Sequence, residues 1–294
     1  MVHHGTCPIC DSGNISHYLR CRDHFLTGED FNLEKCSSCG FIFTQDHPDE
    51  ENSGKYYESD KYASHNDNKG ISGILYNLSR EIMLRKKLRL IRKITGLRTG
   101  RLLDIGSGSG HFLSVMKNSG WDTTGIEINE KARKRSVEKF GLKVLEPGLL
   151  NAIEQESFDC ITLWHVLEHF QDPFKYASEI KRLLRPGGIC IAAMPNSSSC
   201  DALHFGPFWA AYDVPRHLWH FNSDTFIKFS AKAGLKITGI HSLPLDIFYI
   251  SMLSEKYKAS KTHFISGILK GGLFSFRTLF NKYKSSSLVY LLRK

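Results

Sequence analysis

Two features that would place a chain in or across a membrane are missing from this sequence. The first ten residues, MVHHGTCPIC, contain no apolar segment like the core of a secretory signal. No stretch approaches the ~18 consecutive uncharged apolar residues that a membrane-spanning helix needs. With 294 residues, 41% of them hydrophobic, the chain is long enough to bury a core. We therefore expect a soluble cytoplasmic protein of one or two domains.

Acidic residues are scarce in two segments of the chain. Residues 80–101 and 255–294 each contain nine Lys or Arg against a single Glu, so each carries +8 while the remainder sums to −7. Two solvated helix faces would explain these blocks. A basic rim for an anionic partner, such as a phosphate-bearing substrate, an acidic lipid or a nucleic acid, would explain them equally well.

The eight cysteines are not expected to form disulfides, because no secretory signal directs the chain to an oxidising compartment. Four of them form two C-x-x-C pairs, Cys7/Cys10 and Cys36/Cys39, with twenty-five residues between the pairs. Each pair places two thiolates on one tight turn, and two such turns complete a tetrahedral site. Free cysteines or a redox pair are the alternative, although a redox C-x-x-C would occur once rather than twice. Since four thiolates leave no open position, we predict a structural zinc in a ribbon over residues 1–45.

Beyond the ribbon, the chain divides into a polar segment, a long helix and an alternating region. Residues 46–98 combine a linker or loop over 46–70 with a helix over 74–94. From residue 99 onward, strands and helices alternate, which predicts an α/β fold with a parallel sheet covered on both faces. Strands are expected at 101–105, 122–127, 142–145, 158–164, 188–194 and 235–241, and helices at 110–119, 129–139, 172–184 and 223–233. Amphipathic helices at 246–286 precede a last strand.

The segment RLLDIGSGSGHFLSVMKNSGWDTTGIEIN places three glycines at alternate positions between a predicted strand and a predicted helix. Glycines there let the backbone turn tightly and approach a nucleotide at the helix N-terminus. Glu127 ends the next strand, where a carboxylate can bond both hydroxyls of a ribose. A dinucleotide fingerprint would need glycine where this chain has His111. The G-x-G-x-G spacing therefore departs from the dinucleotide pattern.

Four segments in order resemble the successive motifs of class I S-adenosylmethionine-dependent methyltransferases: LLDIGSGSGHF, GIEIN, FDCITLWHVLEHFQDP and LLRPGGICIAAMPN. The chain is most similar to the small-molecule group that includes ubiquinone-biosynthesis O-methyltransferases. The cysteine pairs, KYYESDKY and DVPRHLWHF resemble a bacterial branch with an N-terminal zinc ribbon. The resemblance implies a Rossmann-like doubly wound seven-stranded sheet within residues 99–294 and S-adenosylmethionine as the cofactor.

The resemblance also implies cofactor contacts by position. The methionine part would lie beside Asp104 and the glycines, the ribose on Glu127, and the adenine against Ile128. Where the family often has an acid for the adenine amino group, this chain has Gly148 and Leu149. The implied cofactor-binding residues are Asp104, Gly106, Gly108, Gly110, Glu127, Ile128, Leu149, Trp164 and His165.

Candidate catalytic residues lie in the loop PNSSSCDALHFGPFWAAYDVPRHLWHF. A sulfonium methyl donor is already activated, so the protein must align the acceptor, exclude water and remove a proton where the acceptor requires it. Histidine suits the role of base, and we predict His217, with His220 as a further candidate. Arg216 suits a forked contact to an anionic substrate group. Helix capping or structural hydrogen bonding is the alternative for both histidines.

A divalent metal is a further expectation for the segment WHVLEHF. His165, Glu168 and His169 have the spacing that shares one face of a helix. Ubiquinone-type O-methyltransferases bind a metal with a Glu, Glu, His set at these places, and His165 departs from that set. A structural role for Glu168 and His169 is the favoured alternative.

Methyl transfer to an oxygen or carbon of a small-molecule acceptor, such as a saccharide, a lipid or a quinone-like precursor, is the leading prediction. An RNA methyltransferase would use the ribbon and basic blocks to grip phosphates. Because PNSS lacks the N-P-P-Y type signature of base-amine methylation, no nucleic acid partner is expected. A non-catalytic, cofactor-binding scaffold is the third alternative. Residues 246–286 are open to three roles: a lid over the acceptor, peripheral contact with an anionic inner-membrane surface, and simple packing.

Overall fold

The computed structural model describes residues 1–57, 71–243 and 245–294, and in the first helix it describes side chains from Arg80 onward. Part of the predicted linker, residues 58–70, lies outside the described residues. The strands are β1 (Ile15–Arg22), β2 (Asp30–Cys36), β3 (Ile42–Thr44), β4 (Arg101–Ile105), β5 (Asp122–Ile126), β6 (Lys143–Leu145), β7 (Phe158–Trp164), β8 (Leu184–Pro195), β9 (Trp219–His220), β10 (Lys236–Ser242) and β11 (Ser287–Arg293). The helices are α1 (Ile71–Thr95), α2 (His111–Asn118), α3 (Glu130–Phe140), α4 (Pro173–Leu183), α5 (Cys200–Phe205), α6 (Ser223–Lys232), α7 (Asp246–Tyr257) and α8 (His263–Phe280).

The strands and helices expected in the alternating region are all present. Their ends follow local chemistry, as α3 illustrates. The Asn129 side chain accepts a hydrogen bond from the N–H of Ala132 at the start of the helix, and Gly141 ends it with a φ of 58°. Strand β8 differs most from expectation, because it begins at Leu184 rather than at residue 188.

The seven-stranded sheet has the order β10-β11-β8-β7-β4-β5-β6. Strand β4 pairs in parallel with both β5 and β7, and β5 pairs in parallel with β6. Leu102 and Leu103 of β4 are fully buried. The strand order reverses at β4, since the chain continues to β5 on one side and returns to β7 on the other. Doubly wound sheets bind ligands at the carboxyl ends of the strands beside such a switch point. The Rossmann-like fold class is thus confirmed.

The chain forms two compact units. The first, here the ribbon unit, comprises Met1–Ser59, Leu167–Pro173 and Ala193–Tyr290. The second, here the glycine-loop unit, comprises Asp60–Val166, Phe174–Ala192 and Leu291–Lys294. This grouping differs from the three sequence segments 1–45, 46–98 and 99–294, because residues 193–290 cluster with the N-terminal strands.

The ribbon unit contains a four-stranded sheet of order β1-β2-β3-β9 with antiparallel neighbours. Strands β1 and β2 form a hairpin, whereas β9 comes from residues 219–220. One buried cluster joins these strands to later helices; its members include Phe31, Leu33, Ile42, Trp209, Tyr212, Ile247, Ile250 and Phe274. The cysteine ribbon therefore shares its core with the C-terminal half of the chain.

Helices α7 and α8 pack closely within the ribbon unit. A Cβ on Gly267 would lie 2.7 Å from the backbone N of Met252, and one on Gly271 would lie 3.0 Å from the Cα of Phe248. These glycines are therefore required for the two helix backbones to approach one another. Among the described helices, none is long and apolar enough to cross a membrane.

Candidate functional site

The glycine loop connects β4 to α2. Gly106, Gly108 and Gly110 have left-handed φ values of 75°, 53° and 77°. A Cβ on Gly106 would collide with the Val166 side chain, and one on Gly110 would lie 2.7 Å from Leu142 Cδ1. A Cβ on Gly108 would meet no atom within 4 Å. Packing therefore requires the outer two glycines, whereas Gly108 presents backbone that a ligand can approach.

Glu127 lies directly after β5 and is 8% exposed. Its Oε2 accepts a hydrogen bond of 2.7 Å from the N–H of Gly108, and its Oε1 accepts one of 2.8 Å from the N–H of Asn129. Two backbone donors thus fix the carboxylate, and each oxygen retains a lone pair for a hydroxyl donor. The arrangement suits a vicinal diol such as that of ribose.

Asp104 is a buried acid in β4, and its Oδ1 accepts a hydrogen bond of 2.6 Å from Thr162 Oγ1. Burial raises the pKa of Asp104 to about 7, although Thr162 and Lys87 act in the opposite direction. A cationic ligand group would favour the ionised form of such an acid. Neither Thr162 nor Lys87 was predicted from the sequence, because the local pattern of a strand or a helix does not reveal which side chains of other elements it faces.

We expect Asp104 to make the ligand-free protein less stable at high pH. Its folded-state pKa of about 7 lies above the ordinary value of 3.8, so the folded protein holds a proton that the unfolded chain releases. The resulting stabilisation is complete below pH 3.8 and is lost as the pH rises through about 7. Asp104→Asn removes this dependence. The melting temperature of the variant minus that of wild type should therefore be roughly 5 °C larger at pH 8 than at pH 5. The exposed-acid variant Asp122→Asn is the control, and an unchanged difference for Asp104→Asn would refute the assignment.

The remaining predicted cofactor contacts also lie in the glycine-loop unit. Ile128 and Leu149 are large apolar side chains that are 74% and 43% exposed. Trp164 ends β7, and His165 follows it with a φ of 59°. The Trp164 indole N–H and the Ser107 hydroxyl are buried without a hydrogen-bond partner among the described residues. Because buried polar groups without partners cost free energy, this surface suits a bound ligand that is partly polar.

A second group of polar side chains lies in the ribbon unit. Glu168, His169 and His217 offer ligand atoms that all lie within 4.8 Å of one another. His169 Nδ1 is 3.0 Å from the Arg216 carbonyl oxygen, and His217 Nδ1 is 2.8 Å from the Ala211 carbonyl oxygen. Since a carbonyl only accepts, each Nδ1 carries the proton and each Nε2 presents a lone pair.

The His217 ring is flanked by two carboxylates. Its Nε2 lies 4.0 Å from Glu168 Oε1 and 3.9 Å from Asp213 Oδ2. Arg216 holds Asp213 in place with hydrogen bonds of 3.0 and 2.6 Å, and it also donates to Asp23 at 2.9 Å. The Arg216 guanidinium is thus engaged with carboxylates of the protein itself.

His220 occupies a different environment, within β9 of the ribbon sheet. It is 4% exposed, and its Nε2 lies 3.0 Å from Thr44 Oγ1. Burial holds the pKa of His220 well below its ordinary value. Of the two predicted histidines, His217 is the one that lies beside carboxylates.

The metal-binding set predicted from sequence needs a correction. In the described residues, Glu168 and His169 cluster with His217 and not with His165. The helix assumed for this segment is a single 3-10 turn over Leu167–His169, and His165 precedes it in a left-handed conformation. The i, i+3, i+4 spacing therefore does not define one helical face here.

The four ribbon cysteines converge as the two C-x-x-C pairs predict. The Sγ atoms of Cys7 and Cys39 lie 3.5 Å apart, those of Cys10 and Cys36 lie 3.6 Å apart, and all four fall within 4.8 Å. A tetrahedral site with Zn–S bonds of about 2.3 Å requires sulfur separations of about 3.8 Å. Burial opposes ionisation of Cys36, but the N–H groups of Cys39 and Ser38 bring its pKa down to about 7. The geometry and chemistry of these donors fit zinc.

Parts of this chain are similar to known proteins. A family model described as a methyltransferase domain matches residues 76–239. The ubiquinone biosynthesis O-methyltransferase of Psychrobacter arcticus is 32% identical over 110 residues, which cover 34% of this chain and 43% of that protein. The protein of the same name from Bordetella avium is 31% identical over 172 residues, which cover 53% of this chain and 71% of that protein. The chain thus spans less than half the length of some of these relatives.

A solved structure gives a similar result for the fold. A candidate sarcosine dimethylglycine methyltransferase from Galdieria sulphuraria aligns with a TM-score of 0.52 at 20% identity, covering 73% of this chain and 87% of that one. At this level of identity the likeness concerns the fold alone.

Proposed function

Because this chain belongs to the methyltransferase domain family, we propose that it transfers the methyl group of S-adenosylmethionine to an oxygen or carbon of a small-molecule acceptor. The observation that carries the proposal is the Glu127 carboxylate, which two backbone N–H groups hold at the end of β5 beside the open backbone of Gly108. When bound, the cofactor supplies an activated methyl group. The protein's task is to bind it, to orient the acceptor and to manage the acceptor's proton.

Three parts of the glycine-loop unit fit three parts of this cofactor. Glu127 would accept hydrogen bonds from the ribose hydroxyls, and Asp104 would face the cationic methionine part. Ile128 and Leu149 would offer apolar surface to the adenine. A dinucleotide fits less well, because His111 stands at the start of α2 where the pyrophosphate would approach, with its ring packed 5.0 Å from that of Phe140.

We assign proton removal to His217. Its Nδ1–H is fixed by the Ala211 carbonyl, which leaves the Nε2 lone pair to accept a proton. The carboxylates of Glu168 and Asp213 would stabilise the imidazolium that forms. Arg216, predicted to bind the substrate, instead acts as a positioning residue because it orients Asp213.

His217→Gln should lower turnover by at least about a hundredfold, since loss of a general base typically costs that much. Affinity for S-adenosylmethionine, measured by calorimetry, should remain that of wild type. The acceptor would first be sought as the cell-extract fraction that gains label from methyl-labelled cofactor. The exposed histidine variant His17→Gln is the control, and wild-type turnover by His217→Gln would dismiss the assignment.

A divalent metal is the second candidate role for the same cluster. One carboxylate and two imidazole Nε2 atoms suit such an ion, and ligating histidines usually donate the other ring N–H to a carbonyl or carboxylate. Glu168, His169 and His217 would then hold the ion. Titration with Mn²⁺ separates the two roles. Stoichiometric binding that His217→Gln abolishes would make His217 a ligand, and absence of binding would leave it as the base.

The proposal includes two finer points. A structural zinc would be held by Cys7, Cys10, Cys36 and Cys39, whose Sγ atoms have suitable spacing. An anionic acceptor is suggested by the nine basic residues over 80–101 rather than by Arg216, whose guanidinium is engaged with Asp23 and Asp213.

A further inference from the structure

Helix α8 is apolar on two opposite faces. Gly267, Gly271 and Phe274 are buried on the face that packs within the ribbon unit. The opposite face, here called the outer face of α8, carries large side chains at intervals of three and four residues. They are between 52% and 79% exposed: Ile265, Leu269, Leu273, Phe276, Leu279 and Phe280.

Such an outer face is unusual for a helix at a protein surface. Exposed positions of surface helices are normally polar, and contiguous apolar patches of this kind mark an interaction site. Packing within the ribbon unit accounts for the buried face of α8 but not for the outer one. We therefore expect the outer face of α8 to contact a second apolar environment, outside the ribbon unit.

Basic residues surround the outer face. Residues 256–284 contain seven Lys or Arg and no Asp or Glu; the basic residues are Lys256, Lys258, Lys261, Lys270, Arg277, Lys282 and Lys284. Glu255, the acid that directly precedes this segment in the sequence, is 5% exposed and forms a 2.6 Å ion pair with Lys270. The segment therefore presents uncompensated positive charge next to exposed apolar side chains.

The positive charge of residues 256–284 indicates which kind of partner binds the outer face of α8. A second copy of the chain would bring two basic segments together with no acid in 256–284 to compensate, so repulsion disfavours self-association. The surface of an anionic membrane satisfies both features, since its headgroups attract Lys and Arg while its acyl boundary accepts the apolar side chains. An amphipathic helix lying in the interface plane needs no spanning length.

We propose that the outer face of α8 docks this protein on an anionic lipid membrane, with Phe276, Phe280 and the neighbouring leucines inserted at the acyl boundary. The basic residues of 256–284 contact the headgroups. This surface gives the protein a peripheral location at the membrane.

Vesicle flotation of the purified full chain tests the proposal. The protein should float with vesicles of phosphatidylcholine mixed with phosphatidylglycerol and not with phosphatidylcholine alone, and salt should release it because electrostatic attraction is screened. The double variant Leu269→Glu/Phe276→Glu should bind at least about tenfold more weakly, because the inserted side chains become charged. The matched control is Val137→Glu/Ile227→Glu, which also replaces two exposed apolar residues and adds the same charge.

Thermal melting would establish that both double variants fold. Failure of wild type to float with anionic vesicles would overturn the proposal, as would equal loss in the two double variants. The surface would be assigned to a second copy of the chain if wild type did not bind vesicles but sedimented as a dimer. Only Leu269→Glu/Phe276→Glu, and not the control, should then dissociate that dimer. Because no cofactor is present in the assay, its result is independent of methyl transfer.

Discussion

Glu127→Ala should weaken binding of S-adenosylmethionine by at least about a hundredfold. A carboxylate that accepts hydrogen bonds from both ribose hydroxyls contributes about 1.5–3 kcal/mol per bond. The variant also loses the acceptor that orients the N–H of Gly108. Isothermal calorimetry measures the change directly, and Glu127→Gln should be intermediate, since an amide oxygen still accepts.

Glu130→Ala is the matched control for this experiment. Glu130 lies three positions further along the chain, is exposed at the start of α3, and pairs with Lys134 at 2.6 Å. Its removal should leave cofactor affinity unchanged. If Glu127→Ala bound the cofactor as tightly as Glu130→Ala does, the ribose contact would have to be assigned elsewhere.

Loss of zinc should unfold the N-terminal strands and destabilise the whole ribbon unit. Structural zinc contributes about 10 kcal/mol or more to small domains that fold around it. Here Phe31 and Leu33 of β2 share a buried core with Trp209 and Ile250, so disorder in the ribbon would expose that core. Cys10→Ser is the suitable variant, because Cys10 is the exposed member of the four.

We expect elemental analysis to find one zinc ion per chain in wild type and none in Cys10→Ser. Its melting temperature should fall by at least about 10 °C. Cys200→Ser, which changes a free cysteine outside the metal cluster, should retain both properties. The metal assignment would be contradicted if wild-type protein folded with no bound zinc, or if Cys10→Ser had the melting temperature of wild type.

Features that depend on short stretches of chain could be predicted from the sequence. The strand, glycine loop and helix from Arg101 to Asn118 are encoded locally, because glycine adopts left-handed φ values more readily than any other residue. The convergence of the four ribbon cysteines could be predicted from the rule that two C-x-x-C turns together form one tetrahedral site. Glu127 followed from its place at the end of the second strand of the alternating region.

Features that depend on distant segments could not be predicted. Nothing local shows that Trp219 and His220 would extend the ribbon sheet beside β3. For the same reason the sequence does not predict His217 beside Glu168 and His169. The i, i+3, i+4 spacing of a helix instead grouped His165 with them as a possible metal-binding set. The apolar pattern of α8 predicted an amphipathic helix, but it did not show which face would be buried.

Calorimetric titration of the purified full chain is the most direct test of the central claim, that the glycine loop and Glu127 bind S-adenosylmethionine. We predict one-to-one binding of S-adenosylmethionine and of its demethylated product, with no heat from nicotinamide dinucleotides. The account would be contradicted if the folded protein bound a dinucleotide but bound neither S-adenosylmethionine nor its demethylated product.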